Sequence, residues 1–510
     1  MSHADIILTG HSLTIEDIVK VAREGASVEL DSEAASFVRR GSEMVQEWVD
    51  SGKVVYGVST GFGDLANVTI SPEQSRTLQE NLLKSHACGV GEDLPEEVVR
   101  ATMLLRVNTL IRGFSGISLQ TLNQLVSYLN LGIHPVIPNQ GSVGASGDLC
   151  PLSHLAVSLL GIGDVNYKGR RMPAETALKE AGLEPVRLRP KEGLALNNGT
   201  TALTALAVLV AHDAGKLVKT ADISAALSLE ALHGVPFAFD KRTHELRPHT
   251  GQKNVAENVR RLIDSSEIIE KHKHERVQDA YSLRCVPQVH GATRDALEYV
   301  IEKLEIEINS VTDNPIIFPA DKDVISGGNF HGQPIAIAMD FLGIAMAEIA
   351  GISERRVARL VDHKLSGLPP FLVEDSGVNS GFMIPQYVCA SIVSENKTLS
   401  HPASVDSIPT SANQEDHVSM GFWASRKASQ ILENAFKVLG IEVMAACQGI
   451  EFSAPLTAGA GTRAAHEKFR KEVPYLKEDA FLHPLIKRSV ELVKNGDVLK
   501  AVEEQIGELL

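Results

Sequence analysis

The chain has 510 residues, of which 44% are hydrophobic and only 5% are aromatic, and it carries a formal net charge of −15. This length allows two or three packed regions, and the aromatic-poor composition favours a helical protein over a β-sandwich. The acidic balance argues against nucleic acid or an anionic membrane surface as a partner.

The cysteines and the first residues indicate a soluble protein of a reducing compartment. The five cysteines are odd in number and form no CxxC pair, so they predict neither a disulfide framework nor a zinc ribbon. The opening segment MSHADIILTGHSLTIEDIV lacks the basic residues and the long apolar run of a signal peptide. The most apolar stretch, Thr201–Ala211, has about half the length of a membrane span. We therefore expect a cytoplasmic protein without a membrane partner.

The N-terminal part combines short helices with glycine-rich loops. Short helices with Ser or Asp starts are predicted over residues 12–50, and a short strand over 53–56 (KVVY) leads into a glycine-rich loop. Apolar residues recur at helical spacing over 96–131, which predicts two helices separated by a Gly-Phe-Ser-Gly break. An irregular loop over 134–147 then leads into a helix, for which Asp148 is the expected N-cap.

Long helices dominate the second part of the chain. Helical patterns cover Val289–Val311, Pro334–Leu360 and Ala424–Gln448, and the second of these is apolar on nearly every side, as is typical of a helix buried among others. The predicted fold is mainly α, with a long-helix bundle core, an N-terminal region of shorter helices and glycine-rich active-site loops. We place the N-terminal region at residues 1–200 and the bundle region at 201–510.

Three short motifs lack the context that their chemistry needs. The loop Gly61–Ala66 loosely matches the dinucleotide pattern GxGxxG/A, but no βαβ unit surrounds it. Ser394–Lys397 matches the SxxK pattern of penicillin-binding enzymes without its companion motifs. His272 and His274 form a conceivable metal pair without a converging acid, so a solvated charged segment is the preferred interpretation and no metal is predicted.

The tripeptide Ala145-Ser146-Gly147 offers an unusual electrophile. Because glycine has no side chain, the Gly147 nitrogen can approach the Ala145 carbonyl carbon with little hindrance. Ring closure there with loss of one water, and loss of a second water from the serine side chain, would give an imidazolone with an exocyclic methylene. The helix that starts after Asp148 would place N–H groups and a positive dipole end nearby. The alternative for so small a motif is a plain turn.

The surrounding sequence resembles one enzyme family. GSVGASGDLCPLSHLA, residues 141–156, closely resembles the signature of the aromatic amino acid ammonia-lyases, whose Ala-Ser-Gly becomes the 4-methylideneimidazol-5-one (MIO) group. Further segments resemble that family in the same order: YGVSTGFG from Tyr56, SHACGVG from Ser85, GLALNNGT from Gly193, QDAYSLRC from Gln278, SGGNFHGQP from Ser326, FLVEDSGVNSGFM from Phe371 and SIPTSANQEDHVSM from Ser407. The likeness covers about residues 5 to 475, and implies the helical ammonia-lyase/fumarase-like fold.

The resemblance implies roles for the catalytic residues. Ala145, Ser146 and Gly147 would form the MIO electrophile, and no metal or diffusible cofactor would be required. Tyr56 would be the base, and Tyr281 would lie beside the MIO and assist departure of the amine. A phenol acting near neutrality needs help from its neighbours, because its ordinary pKa is about 10.

The resemblance also implies substrate-binding residues. Arg284 would bind the substrate carboxylate through its planar guanidinium. Asn198 and Gln278 would hydrogen-bond the MIO carbonyl or the substrate, and Phe330 would pack on the MIO ring. At the far end of the pocket, His86 and Glu415 would pair with an imidazole ring, a role implied by these residues' place in SHACGVG and NQEDH.

The implied reaction is the non-oxidative deamination of L-histidine to trans-urocanate and ammonia. The family resemblance further implies a homotetramer whose active sites draw loops from more than one chain. Asn197 and Thr201 depart from the pattern of the histidine-specific members, which leaves a lyase for another aromatic amino acid or a 2,3-aminomutase as alternatives. A non-catalytic helical scaffold is the alternative from a different class.

Overall fold

The computed structural model describes residues 4–63 and 70–510, and of residues 72 and 73 the backbone alone. Contacts divide the chain into two units. Unit 1 comprises Met1–Leu209, Ile301–Asp340 and Pro402–Arg426, and unit 2 comprises the segments Val210–Val300, Phe341–His401 and Lys427–Leu510. Unit 1 thus adds two later segments to the N-terminal region that the sequence predicts at 1–200.

Helices make up most of the described chain and confirm the predicted fold class. In chain order they are α1 (Ile15–Val19), α2 (Ser32–Asp50), α3 (Pro72–His86), α4 (Glu96–Leu110), α5 (Leu119–Leu131), α6 (Leu149–Leu159), α7 (Ala174–Ala181), α8 (Glu192–Asn197), α9 (Thr201–Ala231), α10 (Lys241–Glu245), α11 (Thr250–Leu262), α12 (Glu267–His272), α13 (Tyr281–Arg284), α14 (Val286–Glu307), α15 (Gln333–Val361), α16 (His363–Ser366), α17 (Met383–Leu399), α18 (Gly421–Glu451), α19 (Ala460–Arg470), α20 (Leu482–Lys494) and α21 (Asp497–Ile506). A π-helical turn over Lys20–Glu24 extends α1.

Local capping explains several of these boundaries. The Asp31 side chain accepts a hydrogen bond from the backbone N–H of Ala34 at 2.9 Å and starts α2, and Ser118 starts α5 in the same way. Helix α5 ends at Gly132, which adopts a left-handed conformation with φ +70°. A side-chain oxygen at the N-cap satisfies one of the free N–H groups of the first turn, and glycine suits the left-handed position after the last turn.

The strands are short and form small separate ladders. They are β1 (Ile6–Leu8), β2 (Val28–Leu30), β3 (Val90–Asp93), β4 (Ile133–Pro135), β5 (Pro138–Gln140), β6 (Asp164–Tyr167), β7 (Arg170–Pro173), β8 (Ile316–Phe318) and β9 (Asp323–Ile325). Strand β1 pairs in parallel with β2, whereas β3–β5, β4–β6–β7 and β8–β9 are antiparallel. The register joins Ile6 to Val28 in the first ladder and Ile316 to Ile325 in the last.

The strand predicted over 53–56 is wrong. This segment is an irregular loop held by hydrogen bonds from the Lys53 N–H to the Trp48 carbonyl, at 3.0 Å, and from the Val55 N–H to the Ser59 hydroxyl, at 3.0 Å. Val55 and Val58 are buried in a cluster with Trp48. The apolar residues of this stretch therefore anchor a loop rather than pair in a sheet.

Buried polar side chains join three long helices, α9, α15 and α18, in unit 2. The Glu442 carboxylate on α18 accepts hydrogen bonds from Arg356 on α15 at 2.5 and 2.9 Å, from Ser353 on α15 at 2.6 Å and from Ser228 on α9 at 2.7 Å. The side chains of Arg356 and Glu442 are completely buried. A buried ion pair with further hydrogen bonds on the same carboxylate ties these three helices to one register.

Within residues 4–63 and 70–510, two helices have the length and apolar character of a membrane span. The windows that qualify in α9 and α15 are 78% and 61% buried within the protein, respectively. Helix α9 (Thr201–Ala231) extends 20 residues beyond the apolar stretch Thr201–Ala211 that the sequence indicates. Their burial is that of core helices, as the all-round apolar pattern of Pro334–Leu360 predicts.

Candidate functional site

The Ala-Ser-Gly segment is held by a close approach of two backbone segments, which we call the glycine crossing and define as Ser146–Asp148 against Gly199. The Gly199 N–H donates to the Ser146 carbonyl at 3.0 Å, and the Asp148 N–H donates to the Gly199 carbonyl at 2.7 Å. Ser146 and Gly147 are left-handed, with φ +51° and +74°. A Cβ at position 147 would collide with the Gly199 carbonyl. Only glycine fits there, and glycine also leaves its nitrogen sterically open.

Asp148 lies at the N-cap position of α6, but its side chain does not cap that helix. Instead, one carboxylate oxygen accepts from the Leu203 N–H in the first turn of α9 at 2.7 Å, and the other accepts from the Ser142 hydroxyl at 2.9 Å. Burial raises the pKa of Asp148 to about 7, although these hydrogen bonds act in the opposite direction. The predicted capping role is thus wrong. Asp148 instead connects the loop that contains Ser142 to the start of α9.

A cavity of about 480 Å³ opens beside Ser146 in unit 1. Its lining includes five residues that the sequence predicts for the site: Tyr56, His86, Ser146, Asn198 and Glu415. The rest of the wall is largely apolar or small: Gly61, Phe62, Gly63, Ile70, Leu78, Asn81, Leu82, Ser85, Leu149, Leu194, Asn314 and Ser411. An apolar pocket with a few converging polar groups is the usual form of a small-molecule site.

Glu415 lies next to the serine. One of its carboxylate oxygens, Oε1, is 3.5 Å from the Ser146 Oγ, and the other accepts a hydrogen bond from the Thr410 hydroxyl at 2.9 Å. Thr410 and Glu415 also pair through backbone hydrogen bonds, across a turn in which Ser411 and Ala412 are left-handed. This tight turn brings Glu415 back to Ser146, so its predicted place at the far end of the pocket is corrected.

His86 ends helix α3 and shares this cavity. Its Nδ1 is 2.9 Å from the Ser85 hydroxyl. Burial lowers the pKa of His86, and the Leu82 carbonyl and the negative charge of Glu415 only partly oppose this effect. A lowered pKa favours the neutral imidazole at neutral pH, so His86 can present one nitrogen as an acceptor and the other as a donor.

Tyr56 is partly buried in the loop between α2 and α3. Its hydroxyl oxygen accepts a hydrogen bond from the Gly63 N–H at 3.2 Å. A backbone N–H donor stabilises negative charge on the oxygen it contacts and leaves the phenolic proton free for another acceptor. Residues 64–66 of the weak GxGxxG/A match lie outside the described residues, and α3 follows where a dinucleotide fold needs a second strand.

The remaining predicted residues do not line this cavity. Gln278, Tyr281 and Arg284 belong to unit 2, where the Arg284 guanidinium lies over the Tyr281 ring at 4.5 Å from its centroid. Tyr281 is 71% exposed. Phe330 belongs to unit 1, half-buried in the turn that follows β9.

The histidines of the KHKHER segment lie in unit 2. Donor atoms of His233, His272 and Glu275 are all within 4.8 Å of one another. However, the His233 and His272 rings are stacked in parallel with centroids 3.8 Å apart, so their in-plane lone pairs do not converge on one point. Burial and the neighbouring His272 lower the pKa of His233 to about 4. His274 instead contacts the Phe237 ring.

Comparison with known proteins agrees with the fold. A family model described as aromatic amino acid lyase matches residues 13–471. The chain therefore belongs to the aromatic amino acid lyase family and is a carbon–nitrogen lyase.

Relatives with more closely defined activities cover almost the whole chain. Histidine ammonia-lyases of Alkaliphilus oremlandii and Symbiobacterium thermophilum are each 54% identical to it, over 98% of this chain and 99% of theirs. The crystal structure of histidine ammonia-lyase from Trypanosoma cruzi is similar with a TM-score of 0.91 and 41% identity, over 98% of this chain and 95% of that one. Tyrosine aminomutase from Streptomyces globisporus is similar with a TM-score of 0.94 and 37% identity, over 99% and 100%.

Several residues that shape the site escape sequence reasoning. Thr410 holds Glu415, and Asp313 accepts a hydrogen bond from the Asn198 side chain at 2.9 Å. The sequence pattern identifies Asp313 only as part of a helix stop. The available signal is its place in the segment Thr312-Asp313-Asn314-Pro315, which follows the helical pattern that ends at Val311.

Proposed function

We propose that the protein catalyses the non-oxidative deamination of L-histidine to trans-urocanate and ammonia. One observation carries the proposal: Tyr56, His86, Asn198 and Glu415 line the same cavity as Ser146. The high identity to histidine ammonia-lyases over the full length supports the same substrate.

The electrophile of this reaction is proposed to be MIO, formed from Ala145, Ser146 and Gly147. The residues fit this group, because position 147 has no room for a side chain and the glycine crossing holds the segment in a tight left-handed turn. When formed, MIO supplies an electron-poor methylene that activates the substrate amine as a leaving group. The reaction as proposed needs no metal and no diffusible cofactor.

Tyr56 is proposed to remove the β-proton of the substrate. Tyr56 takes the β-proton as its phenolate and becomes the phenol in that step. The Gly63 N–H donates to the Tyr56 oxygen and stabilises the phenolate that the step requires. Because the β C–H is very weakly acidic, the base must also be close to it, and the partly enclosed cavity restricts where the substrate can lie.

Glu415 and His86 are proposed to select an imidazole ring. Thr410 donates to Oε2 of Glu415, and Oε1 lies 3.5 Å from the Ser146 hydroxyl. Because formation of MIO removes that hydroxyl, Oε1 is the oxygen proposed to accept a hydrogen bond from a ring N–H. An analogue without such a donor would cover the half-buried Glu415 carboxylate and leave Oε1 without a hydrogen bond, at a cost of about 1–3 kcal/mol. This cost disfavours phenylalanine as a substrate.

Arg284 is proposed to bind the substrate carboxylate, and Gln278 is proposed to hydrogen-bond the substrate. Tyr281 is proposed to assist departure of the amine, and Phe330 is proposed to pack on the electrophile. We propose a homotetramer with shared active sites, in which other subunits complete each cavity.

Exposed apolar side chains support this assembly. Ile337, Phe341 and Ile344 on α15 are 49%, 45% and 41% exposed, at a spacing that places them on one helix face. Tyr387 on α17 is 61% exposed. Exposed apolar faces of this kind mark protein–protein contacts. The described cysteines are all free thiols, which suits the proposed cytoplasmic location.

The experiment is a product assay of the purified protein with L-histidine, L-tyrosine and L-phenylalanine. Urocanate and ammonia from L-histidine alone are the expected result. The similarity to tyrosine aminomutase makes a β-amino acid product the alternative to look for. Turnover of L-tyrosine or L-phenylalanine alone would overturn the roles given to Glu415 and His86, and no turnover of any of the three would favour a non-catalytic scaffold.

A further inference from the structure

The orientation of the Asn198 carboxamide is fixed by the groups that surround it. Its Nδ2 donates to the Asp313 Oδ1 at 2.9 Å and to the Asn314 carbonyl at 3.2 Å. Both partners are acceptors only, so a flipped amide would place its oxygen against two other oxygens. Among the described residues, no donor pairs with the Asn198 Oδ1. Asn198 therefore offers the cavity an acceptor.

The backbone of Asn198 is held as firmly as its side chain. Its N–H donates to the Leu194 carbonyl at 3.0 Å, and its carbonyl accepts from the Arg106 guanidinium at 2.8 Å. The next residue, Gly199, belongs to the glycine crossing. Asn198 thus has a fixed position relative to Ser146.

The anchor of this arrangement is a buried ion pair. The Lys191 ammonium donates to the Asp313 Oδ2 at 2.8 Å, and both side chains are completely buried. Burial lowers the pKa of Lys191, and the negative charge of Asp313 opposes this effect. Arg106 is also completely buried, and two of its guanidinium nitrogens have no hydrogen-bond partner among the described residues.

A buried ion pair such as Lys191–Asp313 contributes little net stability to a fold. Removing charges from water costs several kcal/mol per ion, and replacing a buried pair by apolar residues is often neutral or stabilising. The ion pair does orient Asn198. Lys191 donates to one oxygen of Asp313, and the other oxygen accepts a hydrogen bond from the Asn198 carboxamide. Donation to an anion also polarises the amide and strengthens its oxygen as an acceptor.

We infer that Asp313 and Lys191 are positioning residues that keep the Asn198 Oδ1 aimed into the cavity, where it accepts a hydrogen bond from the amino group of the substrate. The inference rests on the proposed function for the identity of that substrate. It assigns Asn198 to the amino end of the substrate rather than to a carbonyl, because a carbonyl has no hydrogen to donate.

The test compares a ligand that has the amino group with one that lacks it. In a Ser146→Ala background, calorimetry measures the dissociation constants of L-histidine and of 3-(imidazol-4-yl)propionate. The double variant Lys191→Met/Asp313→Asn removes both charges together, so neither is left buried alone. The matched control, Lys494→Met/Glu433→Gln, makes the same chemical change at an exposed pair whose charged atoms are 2.6 Å apart.

The double variant is expected to weaken L-histidine binding by about 10- to 100-fold and to leave binding of the propionate within about 2-fold. The control changes neither constant. Equal weakening of both ligands, or no change in either, would overturn the inference.

If the double variant does not fold, Asp313→Glu retains the ion pair but shifts the carboxylate by one methylene. It is expected to give the same selective loss. If the unmodified protein turns over L-phenylalanine instead of L-histidine, the proposed function fails. The inference is then tested separately with L-phenylalanine and 3-phenylpropionate.

Discussion

A single methyl group added at Gly199 tests whether the glycine crossing holds Ser146 and Gly147 in place. Gly199 has φ +130°, and a Cβ there would collide with the Thr312 carbonyl and approach the Arg106 guanidinium to 2.9 Å. The backbone conformation alone costs an alanine roughly 1–3 kcal/mol, and relief of the collision costs roughly as much again. The shift also strains the two hydrogen bonds of the crossing, each worth about 0.5–1.5 kcal/mol.

Gly199→Ala is therefore expected to lower the free energy of unfolding by at least about 3 kcal/mol, which for a chain of 510 residues is a melting-temperature decrease of roughly 3 °C or more. Scanning calorimetry measures the decrease, and intact-mass spectrometry shows whether the displaced segment still loses water. The matched control is Gly215→Ala, where a Cβ meets no atom within 4 Å inside helix α9. That change is expected to be neutral or to stabilise by about 0.5–1 kcal/mol.

The contrary outcome is a Gly199→Ala protein that melts within about 1 °C of the unmodified protein and dehydrates fully. Such a result would mean that the loop adapts without the crossing. A large decrease in the Gly215→Ala control would instead show that the helix, not the crossing, is sensitive to an added methyl.

Three other substitutions address the chemistry of the site. Ser146→Ala is expected to abolish turnover of L-histidine while leaving the circular dichroism spectrum and the melting temperature near their original values; near-normal activity would refute the proposed electrophile. Glu415→Gln is expected to lower kcat/KM for L-histidine by about 10- to 100-fold with little loss of stability, and unchanged kinetics would remove its role. The pKa of Asp148 is about 7 in the folded protein, above its ordinary value of 3.8. The folded state therefore binds this proton more tightly than the unfolded state does, and the free energy of unfolding falls as the pH rises from 3.8 to about 7. The free energy of unfolding is expected to fall by about 4 kcal/mol at most over this pH range. Denaturant titrations at several pH values are expected to show that the free energy of unfolding of Asp148→Asn depends less on pH than that of the unmodified protein. An equal dependence on pH in the two proteins would show that Asp148 does not titrate in this range.

Local patterns predicted the long helices well, because helical periodicity is a property of neighbouring residues. The patterns at Pro334–Leu360 and Ala424–Gln448 correspond to α15 and α18 within a few residues at each end. The same reasoning failed at 53–56, where apolar residues suggested a strand. Val55 is buried there in a cluster with Trp48 of α2 and Ile317 of β8, and no local signal distinguishes that burial from strand pairing.

The candidate site shows the same division. Motifs identified Tyr56, His86, Ser146, Asn198 and Glu415, which all line one cavity. They do not show that Glu415 turns back onto Ser146, because left-handed backbone conformations at Ser411, Ala412 and Asn413 cause that return.

Contacts between distant parts of the chain were equally out of reach. Lys191 and Asp313 are 122 residues apart, and each has an ordinary local interpretation. Asp148 precedes a helix that it does not cap and accepts from Leu203, in a different helix. Pairing of this kind depends on tertiary packing, which a single sequence does not reveal.

The mass of the purified, active protein decides whether residues 145–147 form the electrophile. We predict that intact-mass spectrometry gives a value two water molecules below the sequence mass, whereas Ser146→Ala does not show this loss. A protein that converts L-histidine to urocanate at its full sequence mass would contradict a reaction based on MIO.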